Sequence, residues 1–307
     1  MKKTQYLTMI IVSAVIWVAV VVLKLTVLSE SLSWFMVALI AILLLMFVRY
    51  RIEGSHQYFS GRFNMLLDYD LDVDGAIKMA KDAYDNAPTI QMKNSYQMYL
   101  GIALYYKGEY DEAIKTFNMV DLTKINNVFH GLIFAFSGYC AFELKDQELL
   151  AQYVERLHAL EDRVPAKYRD FIANYAEILE AIKNMDISID QYKEAIDKNF
   201  ARDDGYLARK LNYQYRLSFY YEAIGDTLEM DKCLAFCIAN GKEQHTALRA
   251  KERFQGSVDP ADFVWDPAKA KDPVEPAQPQ EPQVLEAEIV SEEVVEDSSE
   301  ETENKDE

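Results

Sequence analysis

Residues 99 to 117 read Tyr99-Leu100-Gly101-Ile102-Ala103-Leu104-Tyr105-Tyr106-Lys107-Gly108-Glu109-Tyr110-Asp111-Glu112-Ala113-Ile114-Lys115-Thr116-Phe117. On both sides of Gly108 the apolar residues recur at three and four, the spacing of a stripe along a helix. Glycine adopts left-handed backbone without steric penalty, so Gly108 reads as a turn between two helices. Gly101 and Ala113 are small where those helices would touch. Phe117 is an aromatic placed to fill the groove beside a small residue.

The same grammar extends outward. Between residues 55 and 256 proline occurs only at Pro88 and Pro165, and β-branched alternation is nearly absent. Asp74 to Tyr84 places Ala76, Ile77, Ala80, Ala83 and Tyr84 on one stripe. The predicted fold class is all-α. Small residues recur at Gly101, Gly138, Ala176 and Ser218, with spacings of 37, 38 and 42. Counting 37 back from Gly101 reaches Asn64, so about five helix-turn-helix units cover residues 55–256.

Leu100-Gly101, the turn at Gly108 and Tyr110, and Ala113 with Phe117 together resemble the tetratricopeptide repeat (TPR). Weaker matches follow around Gly138 with Leu150 and Val154, Ala176 with Leu179, Tyr192 and Ala195, and Ser218 with Leu234 and Cys237. Pro88 falls at the family's terminal proline. The resemblance implies a TPR-like α-solenoid, since one repeat cannot bury its own face. It also implies a peptide or protein client held in a groove lined by the first helices. The family's groove positions fall here on Tyr58 and Arg62, on Met98, Ile102 and Tyr105, on Tyr139 and Phe142, on Asn174 and Glu177, and on Tyr215, Arg216 and Phe219. Of these, Met98, Ile102, Tyr105, Tyr139, Phe142, Tyr215 and Phe219 are expected to form a mostly continuous apolar strip on one concave side, which if exposed would suit an amphipathic segment; the competing reading is that they fill the space between helices. The Lys and Asn pattern with which chaperone-binding relatives clamp a C-terminal carboxylate is missing.

Before the repeats, Tyr6–Leu23 and Ser31–Val48 are two uncharged runs without Gly or Pro. Each would span about 27 Å as a helix, close to the hydrocarbon thickness of a bilayer. Residues 1–54 are therefore predicted to be a transmembrane hairpin with helices at about 6–23 and 31–48. A cleaved signal peptide is the competing reading, disfavoured because no Ala-x-Ala site precedes the second run. Lys2, Lys3, Arg49 and Arg51 lie on one side and Lys24 on the other, which puts both termini in the cytoplasm. A multi-pass protein of the plasma membrane, bacterial in character, is expected.

The C-terminal stretch 257–307 is rich in Pro and holds 17 acids against 3 bases, so it carries −14 of the net −18. Its composition predicts a disordered acidic tail. Two islands interrupt it: Phe263-Val264-Trp265-Asp266-Pro267 is placed to cap the last repeat, and Val284–Val290 reads as solvated tail, with docking as a strand the alternative. The rest of the chain is near neutral, which excludes a generally basic nucleic-acid binder. Three cysteines are too few for a disulfide scaffold. His56, His130, His158 and His245 show no metal-ligand spacing, and Cys233 with Cys237 read as a core stripe. There is no phosphate-binding glycine loop and no nucleophile elbow. No cofactor, metal, small-molecule substrate or enzymatic activity is expected.

The expected function is that of a membrane-tethered cytoplasmic scaffold that binds a protein segment. The alternative is an accessory subunit whose hairpin packs against an integral-membrane enzyme or transporter. The charge bias makes a first prediction. A cysteine introduced at Ser29 should label with an impermeant thiol reagent in intact cells, while one at Ser257 should not; reversed labelling overturns the assigned topology.

Overall fold

The computed structural model describes residues 3–26, 33–201 and 206–266. All regular structure among them is helical. α1 (Lys3–Thr26) and the first half of α2 (Trp34–Asp68) pack together and are long and apolar enough to cross a membrane. The N–H of Lys3 donates to the carbonyl of Asn86 at 3.0 Å. The start of α1 therefore lies beside the helical body, on the side of the hairpin where Arg49 and Arg51 stand. Lys2 and the link at 27–32 fall outside the described residues.

The expected break between residues 48 and 55 does not exist. α2 runs 35 residues without interruption, about 52 Å at 1.5 Å per residue. Its first half is apolar and exposed; its second half buries Phe59, Phe63, Leu66 and Leu67 in the core of the body. The reason is local. No proline intervenes, Arg49 pairs with Glu53 one turn on at 2.7 Å, and Gly54 and Gly61 stand in open space where a helix meets nothing.

Five helix pairs then follow: α2 with α3 (Val73–Asp85), α4 (Ile90–Lys107) with α5 (Tyr110–Asn118), α6 (Asn127–Glu143) with α7 (Gln147–Glu161), α8 (Ala166–Lys183) with α9 (Ile189–Phe200), and α10 (Leu207–Ala223) with α11 (Thr227–Asn240). A last helix, α12 (His245–Arg253), ends the regular structure. The first helices of the leading pairs also stack on one another, α2 on α4, α4 on α6 and α6 on α8.

Four of the five intra-pair turns are built alike. Leu71, Gly108, Lys145 and Gly225 all have positive φ, at 50°, 86°, 60° and 77°. In the last three the N–H of the left-handed residue and of its successor reach back to the final turn of the first helix. Gly108 and Glu109 bond Tyr105 and Leu104, Lys145 and Asp146 bond Phe142 and Ala141, Gly225 and Asp226 bond Glu222 and Tyr221. This double bond closes the orphan carbonyls of a helix end. The residue after each left-handed position is acidic, and Asp72, Asp146 and Asp226 accept from the N–H three residues on to start the second helix.

Small residues mark the close approaches. A Cβ on Gly101 would lie 2.5 Å from Cε1 of Phe117, within the α4–α5 pair. One on Gly138 would lie 2.4 Å from Cδ1 of Leu179, so this glycine admits α8, the first helix of the next pair. Ala76, Ala113, Ala176 and Ser218 are all fully buried, while Leu100 is only partly so. Cys233 and Cys237 lie in the core, and burial raises both thiols, that of Cys233 to about 12. After α12 the chain folds back on α11. The fully buried Asp231 accepts from the N–H of Gln255 and Ser257, and Asn240 bonds Phe263 and Trp265. The Phe263–Trp265 island thus covers the last pair. The rest of the predicted acidic tail, 267–307, with Val284–Val290, falls outside the described residues.

These contacts set two opposite stability outcomes, read by thermal unfolding of the full chain in mild detergent. Gly101→Leu should cost about 1–3 kcal/mol by overpacking Phe117. Lys145→Gly should stabilise by up to about 1 kcal/mol, because it relieves a left-handed non-glycine residue. No loss for the first change would show that α4 and α5 can separate freely.

Candidate functional site

The last pair returns to the first, and this closure decides what the inner face can present. Leu71, in the α2–α3 turn, packs into a second core with Ala208, Leu211, Tyr215, Met230, Leu234, Cys237 and Ala250. Lys242 donates to the carbonyl of Asp70 at 2.5 Å, and Gln244 to that of Leu67 at 2.8 Å. Tyr69 and Tyr206 bring their rings to 4.9 Å. Lys107, at the end of α4, pairs with Asp74 and Glu243. α12 is thereby laid across the ends of α4, α6 and α10.

Of the seven residues of the expected strip, Tyr105, Tyr139, Phe142, Tyr215 and Phe219 gather on this face. Tyr105 lies 6.0 Å from Tyr139, Tyr215 lies 5.2 Å from Phe219, and Phe219 lies 5.2 Å from Phe142. They are not exposed, however. Met98, Ile102, Tyr105, Tyr139 and Tyr215 are buried, and Phe142 and Phe219 are half-buried. Burial of five of the seven agrees with the competing reading, in which they fill the space between helices. The physical cause is α12, whose His245 inserts among Tyr105 at 4.4 Å, Tyr215 at 5.8 Å and Tyr106 at 6.0 Å. Arg253 covers the Phe219 ring at 3.7 Å. Of the outer groove positions, Tyr58 is exposed on α2, and Asn174 and Glu177 are half-buried.

What the closure assembles is a polar cluster inside an aromatic nest. Glu143, at the end of α6, accepts from the Tyr215 hydroxyl at 3.0 Å and stands 3.8 Å from Arg249. Burial raises its carboxyl, opposed by the Tyr215 hydrogen bond and by the charges of Arg216, Arg249 and Arg253. Arg249 also pairs with Glu252 at 2.8 Å and donates to the Tyr110 hydroxyl at 3.4 Å. Arg253 pairs with Glu222 at 2.6 Å and donates to Ser218. Arg216, on α10, is only 5% exposed and lies over the rings of Tyr139 at 4.3 Å and Phe200 at 4.9 Å. The Tyr192 hydroxyl holds its backbone by donating to the Arg216 carbonyl at 2.8 Å.

His245 has one defined hydrogen-bonding partner, the Tyr110 hydroxyl 3.3 Å from Nδ1. That hydroxyl also accepts from Arg249, and the imidazole tautomer sets whether Nδ1 accepts from it or donates to it. Burial, and then the charges of Arg216 and Arg249, push the imidazole pKa down to about 3.

Sequence reading named Arg216 as a groove position and found the aromatic residues. It left out Glu143, His245, Arg249 and Arg253. The only signal for them was the pairing of arginines with a helix at the far end of the chain, and that pairing is tertiary.

The depressed imidazole carries a signed pH dependence. In the unfolded chain it protonates near 6.5; in the fold it stays neutral to about 3. Its share of stability is therefore complete above about pH 6.5 and is lost as pH falls, amounting to about 2 kcal/mol at pH 5. Asp68 acts in the opposite sense. Burial, against the opposing Arg209 charge, raises its carboxyl to about 6, so it loses stability as pH rises from about 4 to 6. Asp68 is unchanged in His245→Gln, so comparing that variant with the natural chain isolates the imidazole. Unfolding between pH 7.5 and 5 should be markedly less acid-sensitive in the variant; equal sensitivity would mean that His245 is accessible to protons in the fold.

Comparison of the chain with protein-family models, with curated proteins and with solved structures finds no match to any of the three.

Proposed function

We propose that the chain is a membrane-tethered, TPR-like binding scaffold. Its hairpin anchors it with both termini in the cytoplasm of a bacterial cell, and its helical body recruits a protein segment. The observation that carries this reading is α2. One helix is both the second apolar segment and the first helix of the body, so the body is held at a fixed distance and angle from the bilayer. Tethering raises the local concentration of the body near other membrane-bound proteins, and modest affinity then suffices for recruitment. Five helix pairs with recurring turn geometry and close-approach glycines support the repeat description.

One feature favours the accessory-subunit alternative. A groove on the hairpin is lined by Thr4, Gln5, Thr8 and Ser13 of α1 together with Leu44 and Phe47 of α2. Hydroxyl and small polar groups on an apolar helix are the usual contacts between neighbouring membrane helices. The tethered-scaffold reading takes precedence because the body, with most of the described residues, has no role in the alternative beyond regulation.

Photo-crosslinking in cells separates the two. A photoreactive residue placed at Phe142 or at the exposed Ile187 should capture a defined partner if the body recruits. One placed at Thr8 or Leu45 should capture an integral-membrane protein if the hairpin is the docking element. Crosslinks from the hairpin with none from the body would reverse the order of the two readings.

A further inference from the structure

We propose that the end of the body formed by residues 86–93 and 119–127 rests on the anionic headgroups of the bilayer that the hairpin crosses. Register places this end at the membrane. α4 runs beside the lower half of α2 in the same direction: the His56 ring stacks on Tyr96 at 5.9 Å, and the Tyr99 hydroxyl donates to Ser60 at 3.0 Å. Each residue of α4 thus stands beside one about 40 positions earlier in α2, and both helices rise 1.5 Å per residue. Ile90, at the start of α4, therefore comes level with Tyr50 and Arg51, where the apolar half of α2 ends. The neighbouring loop is tied to the same level. The N–H of Asp121 donates to the Asn94 side chain at 2.8 Å, and the Phe129 ring lies 6.5 Å from His56. The bond from Lys3 to Asn86 joins the α3–α4 loop to the start of α1. Asn127 in turn donates to the carbonyl of Arg163 at 2.7 Å, which brings the α7–α8 loop beside the start of α6.

The two ends of the body differ in charge. The loops 86–93, 119–127 and 162–169 hold five bases against two acids, whereas the turns within the first three pairs, 68–74, 107–112 and 143–148, hold ten acids against two bases. Helix capping does not account for the difference. At the turns α3 and α7 are capped by Asp72 and Asp146; at the loops α4 and α6 are capped by Thr89 and Asn126, which do the same work without charge. Lys93, Lys124 and Arg163 are exposed, and none forms an ion pair among the described residues. Ile90 and Met119, both more than half exposed, add apolar side chains to the same end. Cations interleaved with exposed apolar groups, at the level where a spanning helix leaves the hydrocarbon, match a negatively charged lipid surface. The acidic turns are repelled by that surface and face away from it. This inference rests on the tethered reading and deepens it: the hairpin sets the height of the body, and the basic end sets which side lies down.

The test uses the full chain reconstituted into phosphatidylcholine vesicles with and without phosphatidylglycerol. The three natural thiols are buried, so an environment-sensitive fluorophore is attached at Ile90→Cys, with Glu112→Cys on an acidic turn as the reference. The label at position 90 should shift to the blue and brighten roughly twofold in the anionic vesicles relative to the neutral ones, while the label at 112 stays unchanged. Adding Lys93→Glu and Lys124→Glu should remove the response; both lysines are exposed, so the helical signal of the chain should be retained. Salt at about 1 M, where the screening length falls to about 3 Å, should remove it too. Equal spectra at position 90 in the two lipids, or a response that survives the double charge reversal, overturns the proposal. A response that follows protein density instead of lipid charge identifies a second copy as the occupant and also overturns it. Flotation with the vesicles after a high-salt wash is read on the same samples. A chain that floats without the label response loses this inference alone, whereas a chain that does not float loses the tethered reading as well.

Discussion

The turn from Gly241 to His245 is wedged between the ends of α2 and α4, and the rest of the body depends on that contact. Gln244 and Lys242 donate to carbonyls at the end of α2 that would otherwise end the helix unpaired. With the turn in place, Leu71 has an apolar pocket, His245 is enclosed by tyrosines, and α12 is aligned so that Arg249 and Arg253 reach Glu143, Glu222 and Ser218. Without it, the carbonyls of Leu67 and Asp70 would lose these donors. A linear array of helix pairs is stable through neighbours alone. This one adds contacts between residues more than 170 positions apart, and so couples its ends.

That coupling carries an energetic cost. Six buried side-chain polar atoms find no partner among the described residues, among them Arg216 Nε, Tyr139 Oη and, on the closing segment, His245 Nε2. Orphaned buried groups of this kind each disfavour the fold by about 1–3 kcal/mol. The aromatic rings beneath Arg216 recover part of the loss through their quadrupoles. A body selected for stability alone would place leucine or methionine at position 216, and the retention of a charge there is what gives the inner face its chemical character.

The local rules of this chain were open to reading from the sequence; its global closure was not. Gly101 facing Phe117, the turn at Gly108 and the apolar stripe of α3 all follow from spacing within a few turns of helix. Lys145 and Leu71 escaped notice as turn residues because glycine was the only punctuation sought, although the acid after each is the same signal that follows Gly108 and Gly225. The continuity of α2 is not legible in composition, which changes near Arg49; helix formation depends on backbone and side-chain sterics, and those do not alter there. The candidate site failed differently. Equivalent positions on stacked helices do converge, as spacing indicates. Whether they face water depends on where a nine-residue helix at the end of the chain comes to rest, and periodicity holds no information on that.

In the proposed membrane-tethered arrangement, the unbroken α2 makes the molecule a lever. Its upper half is matched to the hydrocarbon layer when the hairpin is inserted, and a span longer or shorter than the local bilayer tilts to fit. A flexible joint would absorb such tilt, but a straight helix passes it on. The lower half cannot rotate independently, because Phe59, Phe63, Leu66 and Leu67 are locked against α3 and α4. In that arrangement every degree of inclination imposed by membrane thickness or curvature would swing the entire body, with a lever arm of roughly the length of the buried half-helix, about 25 Å. Lipid composition, acting on residues that never touch the inner face, would in this way set the height and attitude at which that face is offered.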